Sequence, residues 1–280
     1  MEAPMFRLFL QELRFRRIAI IGWGLGLCFF PVVYVGLYPS FADQMAGFQE
    51  ILDLAFYQAM GISMGSFEDY MASTVTNLVP LILCIFAVAN GTGTLAGEED
   101  EGRLELIVTL PTPRWQIVAV KAAALVLALL IILSIVAAGA ALTLQVISSQ
   151  IDTNVTPKNV FFSLLGALPL VLAVGMISLF LGAFSPSRRV ASVISAVVVL
   201  VSYLGNNLSG LIESLEKIGP LFLFHYYKAT GEALKKGQSF ENLLALSIIT
   251  LVAFGLAMFF FQRRNITVGA WPWQRAVIQS

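Results

Sequence analysis

An all-α integral membrane protein with six transmembrane helices is the fold class this sequence predicts, and three observations predict it. Hydrophobic residues make up 58% of the chain and charged residues 12%, the latter about half the roughly 25% of a soluble domain. The apolar residues gather into runs of about 20 or more, the length that crosses a hydrocarbon core ~30 Å thick as a helix. The charges fall between those runs or at their ends, because an unpaired ion in hydrocarbon costs about 3 kcal/mol or more.

In chain order the runs are 18–38, 74–96, 115–147, 160–184, 190–211 and 243–261, read together as a single transmembrane domain over 1–280. The first is too long for a cleaved signal peptide, and no small-residue cleavage pattern follows it. Before it, over 4–17, Phe6, Phe9, Leu10 and Leu13 recur at helical spacing against Arg7, Arg14 and Arg17. That pattern predicts an amphipathic interfacial helix, its aromatic face in the headgroup boundary and its arginines on anionic lipid. The plain alternative is a frayed polar tail. Gly22 and Gly26 form a G-x-x-x-G in the first run, a candidate homodimer or intramolecular seam, and Gly93 with Gly97 forms another at the end of the second. The polar groups inside the runs are neutral, Asn77, Asn90 and Asn206 among them. They are candidates for a cavity lining and, more simply, for hydrogen bonds between helices.

Orientation follows from the basic residues, which concentrate in short cytoplasmic loops. With both termini inside, Arg7, Arg14, Arg16, Arg17, Arg103, Arg114, Lys121, Arg188, Arg189, Arg263, Arg264 and Arg275 lie in or near the cytoplasm, and Lys158, Lys217, Lys228, Lys235 and Lys236 lie outside. The formal net charge of zero therefore averages an arginine-rich inner face with outer loops that hold most of the acids. It says nothing about nucleic acid, which is not expected as a partner. The two cysteines, Cys28 and Cys84, fall within apolar runs and imply no disulfide framework.

Several chemistries lack their residues. No G-x-x-x-x-G-K-[ST] loop is present to cradle nucleotide phosphates, so energy from ATP must come through a partner chain. A relay for ion-coupled transport needs titratable groups or dense oxygen ligands at bilayer depth, which weakens the alternative of an ion-coupled secondary transporter or channel. Gly61-Ile62-Ser63-Met64-Gly65 matches G-x-S-x-G. That spacing works only at a strand-to-helix turn, and no strand pattern precedes it. The single histidine, His225, cannot make a metal site without several partners. No catalytic residue and no metal ligand set is predicted.

The most informative stretch is Gly97 to Trp115, wedged between the second and third runs. Glu98, Glu99, Asp100 and Glu101 must sit at a membrane face. From Gly102, Leu104, Ile107 and Val108 recur at helical spacing with Leu106 and Leu110 widening the arc, while Arg103, Glu105 and Thr109 oppose them. A short helix on the inner face is expected, stopped by Pro111 and Pro113 and followed by Arg114. The alternative is an ordinary solvated loop, but burying each of those aliphatic side chains is worth about 1.5 to 3 kcal/mol. Lipid or protein covers them. The outer segment over 212–242 mixes apolar and aromatic residues around Gly219-Pro220 and reads as a partly re-entrant hairpin, because non-helical backbone at membrane depth survives only when buried in protein or facing a cavity.

These residues resemble the membrane subunits of ABC-2 type exporters, the type V ABC transporter permeases. The resemblance covers nearly the whole chain and is most specific in E-E-D-E-G-R-L-E-L-I-V-T-L-P-T-P-R-W followed by Lys121. It implies that the 97–114 segment is the cytoplasmic coupling loop that docks on the ATPase, with Glu98, Glu99, Asp100, Glu101, Gly102, Arg103, Leu104, Glu105, Ile107, Leu110, Pro111 and Arg114 as its contacts. It also likens the amphipathic start (Phe6, Arg7, Leu10, Arg14, Arg17) to the family's N-terminal helix, and Pro220, Phe224, His225, Tyr226 and Tyr227 to its outer gate hairpin. Leu221 to Leu223 separate the proline from the aromatic more widely than in that pattern. The implied assembly is two permeases, this chain with a second copy or a relative, and two separate ATPase subunits that bind ATP and Mg, in a bacterial or archaeal cytoplasmic membrane. The implied cargo is amphipathic or hydrophobic, such as a drug, lipid or peptide, moved outward. This chain itself needs no cofactor.

Overall fold

The structure, a computed structural model, describes residues 2–45, 66–98, 113–151, 153–210 and 212–263. Six stretches among them are helical, long and apolar enough to cross a membrane. They are α1 (Glu2–Met45), α2 (Phe67–Gly97), α3 (Arg114–Ile147), the pair α4 (Pro157–Leu165) and α5 (Leu168–Phe184), α6 (Arg188–Ser209) and α9 (Phe240–Arg263). Between α6 and α9 lie two short helices, α7 (Glu213–Glu216) and α8 (Gly231–Lys236), separated by 3-10 turns at Gly219–Leu221 and Leu223–Tyr226. No strand occurs among the described residues. The chain is a multi-pass helical membrane protein.

Local chemistry explains where the helices start. Ser66, Thr156, Ser187 and Thr230 each stand just before a helix in extended backbone and accept an N–H from the residue three ahead, filling one of the donors a helix start leaves open. Pro157 and Pro169 stand in the first turns of α4 and α5, where a missing N–H costs nothing.

Packing then orders the bundle. α5 is apolar all round and sits in the middle, against α2, α3, α6 and α9. At its crossing with α2 the backbones nearly touch: a Cβ on Gly91 would lie 2.7 Å from the Gly175 carbonyl oxygen. α1 lies along α3, and the Cys28 side chain fills the space that a Cβ at Gly139 would need. The opposite face of α1 presents Phe15, Ile18, Ile21, Leu25 and Phe29 outward, as a helix must when its solvent is lipid. The main core runs through the bundle from Val35, Phe67 and Leu144 to Leu125 and Val88, and a second cluster (Leu95, Val118, Leu179, Ala257, Phe261) closes the end where α2 finishes and α3 begins.

The 4–17 segment is helical, as its spacing predicts, and is continuous with the first span: α1 runs unbroken from Glu2 to Met45. Nothing between Met5 and Pro31 breaks a helix beyond single glycines, and Glu12 and Arg16 find partners on α2 and α3 that hold the segment on the bundle. Phe6, Arg7, Leu10, Arg14 and Arg17 are exposed on its free face.

Candidate functional site

At the end of the bundle that carries the chain's start, three helices are tied by a buried ion cluster. Lys121, two turns into α3, has no exposed surface, and its Nζ donates to Glu12 Oε1 on α1 at 2.6 Å and to Glu98 Oε1 at the end of α2 at 2.7 Å. Arg16, one turn beyond Glu12, donates to Thr94 Oγ1 at 2.8 Å and Asn90 Oδ1 at 3.3 Å, and its Nη2 lies 3.4 Å from Glu12 Oε2. Spacing of four along α1 (Glu12, Arg16) and along α2 (Asn90, Thr94) stacks each pair on one helix face. A lysine withdrawn fully from water needs partners, and losing one side of a buried pair costs about 3 to 5 kcal/mol. The cluster is therefore a strong clamp. It fixes the residue, Glu98, from which the acidic run departs.

The last turn of α2 is unusual. Gly93–Gly97 forms a π-helical turn, a feature frequent at functional positions. Its two glycines do not receive another helix, as the G-x-x-x-G spacing predicts. They receive a side chain: a Cβ on Gly93 would lie 3.2 Å from Arg188 Nη2, and one on Gly97 would lie 3.1 Å from Arg188 Cδ. The Thr92 and Ser192 hydroxyls, 2.8 Å apart, join α2 to α6 just above. Gly22 and Gly26, by contrast, face open space, and the seam of α1 with α3 uses Gly24 and Gly139 instead.

The opposite end is mainly aromatic, with its ion pairs toward the surface. The turns between α6 and α8 bury Phe224 and Tyr227. The Phe224 N–H donates to Ser202 Oγ at 3.2 Å, its ring centroid is 5.3 Å from that of Tyr203, and the Tyr227 hydroxyl donates to the Thr76 carbonyl at 2.8 Å. Tyr226 donates to the Pro220 carbonyl at 2.8 Å and stacks edge-on with His225. Burial, then the nearby Lys228 cation, pushes the His225 pKa down. Lys235 on α8 pairs with Glu68 at 3.0 Å, and Thr153 donates to the same carboxylate oxygen at 3.3 Å. Asn77 donates to the Tyr203 hydroxyl at 3.4 Å, and Asn90 accepts from Arg16. Both asparagines thus join helices; Asn206, half-buried on α6, accepts through its carbonyl from Ser209.

Between α2 and α6 lies a groove of about 580 Å³, walled by Cys84, Ile85, Val88, Val199 and Leu200 with Ser192 and Arg188 toward the ion-cluster end. No group of three or more histidine, cysteine, aspartate or glutamate residues suited to a metal occurs among the described residues. The G-x-S-x-G at Gly61–Gly65 and the Glu99–Pro111 part of the acidic and aliphatic segment lie outside them.

Set against known families, residues 7–266 match the ABC-2 family transporter protein profile. The chain belongs to the ABC-2 transporter family. It is thus a permease, the membrane subunit of an ABC transporter, and the family works with an ABC ATPase. No curated protein matches the sequence.

Of the residues that sequence reasoning assigned to this permease's coupling loop, the structure places two: Glu98 in the ion cluster and Arg114, half-buried, as the first residue of α3. Sequence reasoning gives no role to Glu12 or Thr94; it places Arg16 and Lys121 at the cytoplasmic side, Lys121 also closing the loop motif, and assigns neither a partner. One signal was present. A lysine inside an apolar run is expensive unless paired, and the acids nearest a membrane face are its natural partners.

Proposed function

We propose that this permease is the membrane half of an ATP-driven exporter, with the 97–114 segment as its coupling loop and both termini cytoplasmic. The observation that carries the reading is the Lys121 clamp. It joins Glu98, where the coupling loop leaves α2, to α1 and α3 together, so a push on the loop reaches three helices rather than one. Two permeases with two ATPase subunits complete the proposed transporter, and the ATPases bind the ATP and Mg. The acids from Glu99 to Glu101 and Arg103 steer docking by charge, while Leu104, Ile107 and Leu110 supply buried contact. The groove between α2 and α6 supports an amphipathic cargo: its walls are apolar and, among the described residues, its only charged lining residue is Arg188 at one end.

The test is Glu101→Lys with Glu105→Lys in proteoliposomes containing both subunits. Residues outside the clamp are changed, so the bundle stays folded. ATP hydrolysis persists and ATP-driven export falls to the level without ATP; normal export by the double variant contradicts the reading.

A further inference from the structure

Helix α2 carries a second irregularity, at its other end, and a proline follows it. Ala72–Thr76 is a π-helical turn, followed by regular α-helix over Asn77–Thr92. Pro80 lies inside that helix. In a regular helix the Thr76 carbonyl would accept from the amide of residue 80, and proline has none to give. At membrane depth an unpaired carbonyl is costly and is met by another group. That group is the Tyr227 hydroxyl, at 2.8 Å, with Tyr227 and Thr76 both buried.

We propose that Tyr227, seated on the carbonyl that Pro80 leaves without an amide donor, is the positioning residue through which α2 moves the segment between α6 and α9. The inference rests on the permease reading. The 16 residues of Asn77–Thr92 form a rod about 24 Å long with a π turn at each end. The end at Gly93–Gly97 leads to Glu98 and the clamp. Two polar links run from the α6–α9 segment to the far end of α2. Lys235 holds Glu68, before the π turn, and Tyr227 holds Thr76, at its last residue. The first therefore sits on the far side of the irregular turn, and the second holds the turn's last residue, next to the rod. Hydroxyls inside the turn prepare it for a change of register. Thr76 donates to the Ala72 carbonyl at 2.9 Å, which the Asn77 N–H also reaches, and Thr74 donates to the Tyr70 carbonyl, so these carbonyls hold a side-chain donor whichever amide faces them.

The experiment compares Tyr227→Phe, Pro80→Ala and the double variant in the permease bound to its ATPase, by hydrogen exchange over residues 223–236 without nucleotide and with ATP held unhydrolysed. Tyr227→Phe removes only an oxygen. It raises exchange in the nucleotide-free state roughly five- to tenfold, the scale of one net hydrogen bond, and abolishes the ATP-dependent change there while hydrolysis continues. Pro80→Ala returns an amide donor to the Thr76 carbonyl and so releases Tyr227 with the same result, and the double variant is no worse than Pro80→Ala alone. Additive effects of the two substitutions, or a full ATP-dependent change in Tyr227→Phe, overturn the proposal. So does a wild-type complex that hydrolyses ATP with no change over 223–236, an outcome that leaves the permease reading standing. If no ATPase binds, that reading fails instead, and the nucleotide-free comparison of the variants still decides whether the contact exists.

Discussion

The two ends of α2 are fastened by opposite chemistry. At the inner end, in the proposed orientation, the fastening is ionic: Lys121 with Glu12 and Glu98, and Arg16 across Asn90 and Thr94. At the outer end it is mostly neutral: single hydrogen bonds from the Tyr227 hydroxyl, the Asn77 amide and the Phe224 N–H, edge-on rings at Tyr203 and Phe224, and one partly exposed ion pair, Lys235 with Glu68. Separating a buried ion cluster leaves each ion without a partner in a site already withdrawn from water, whereas a neutral hydrogen bond is worth about 1 kcal/mol net. On the proposed function the inner end moves as a block and the outer end yields first. That is the asymmetry a lever needs when force arrives at one end and an opening forms at the other.

The comparison breaks most decisively at Lys121. Lys121→Met strands the Glu12 and Glu98 carboxylates and destabilises the permease by about 3 to 5 kcal/mol, read as a lower melting temperature and poor recovery in mild detergent. Adding Glu12→Gln and Glu98→Gln to that variant restores most of the loss, because the stranded charges are gone. If the single variant melts like wild type, the clamp is no clamp. Arg16→Ala comes next. It removes the donor to Thr94 and Asn90 and costs about 1.5 to 3 kcal/mol, the range for hydrogen bonds from a charged group, in the same melting measurement. The smallest effect is at the outer end. Burial and Lys228 favour neutral His225 in the folded segment, so its protonation opposes packing. Stability contributed there is present above the ordinary value of 6.5 and is lost as pH falls from there through the lowered folded value. Corrected for the intrinsic slowing of amide exchange in acid, protection over 219–228 falls less than tenfold between neutral and mildly acidic pH, and His225→Asn removes that dependence.

The spans were legible in the sequence because each is a long apolar run, and bilayer thickness turns run length into a helix count. Their fastenings were not. Lys121 and Glu12 are 109 positions apart and Tyr227 and Thr76 are 151 apart, and no local pattern announces either pairing. The amphipathic start was legible as a helix, but its length was not: Glu12 and Arg16 look like headgroup-facing charges until α2 and α3 supply their partners. Gly93 and Gly97 show the same limit, since their spacing signals a close approach and only the fold shows that Arg188 makes it. Pro80 was visible, while its consequence depended on a tyrosine from a distant turn.

The most direct test of the central claim, that this chain is an ATPase-coupled permease whose inner end takes the push, is affinity purification of the tagged protein from native membranes in mild detergent, followed by mass spectrometry. The account predicts a P-loop ATPase in near-equal amount, lost when Glu99, Asp100 and Glu101 are reversed to lysine with Glu98 left in its clamp. Recovery of this chain alone from repeated mild extractions contradicts it.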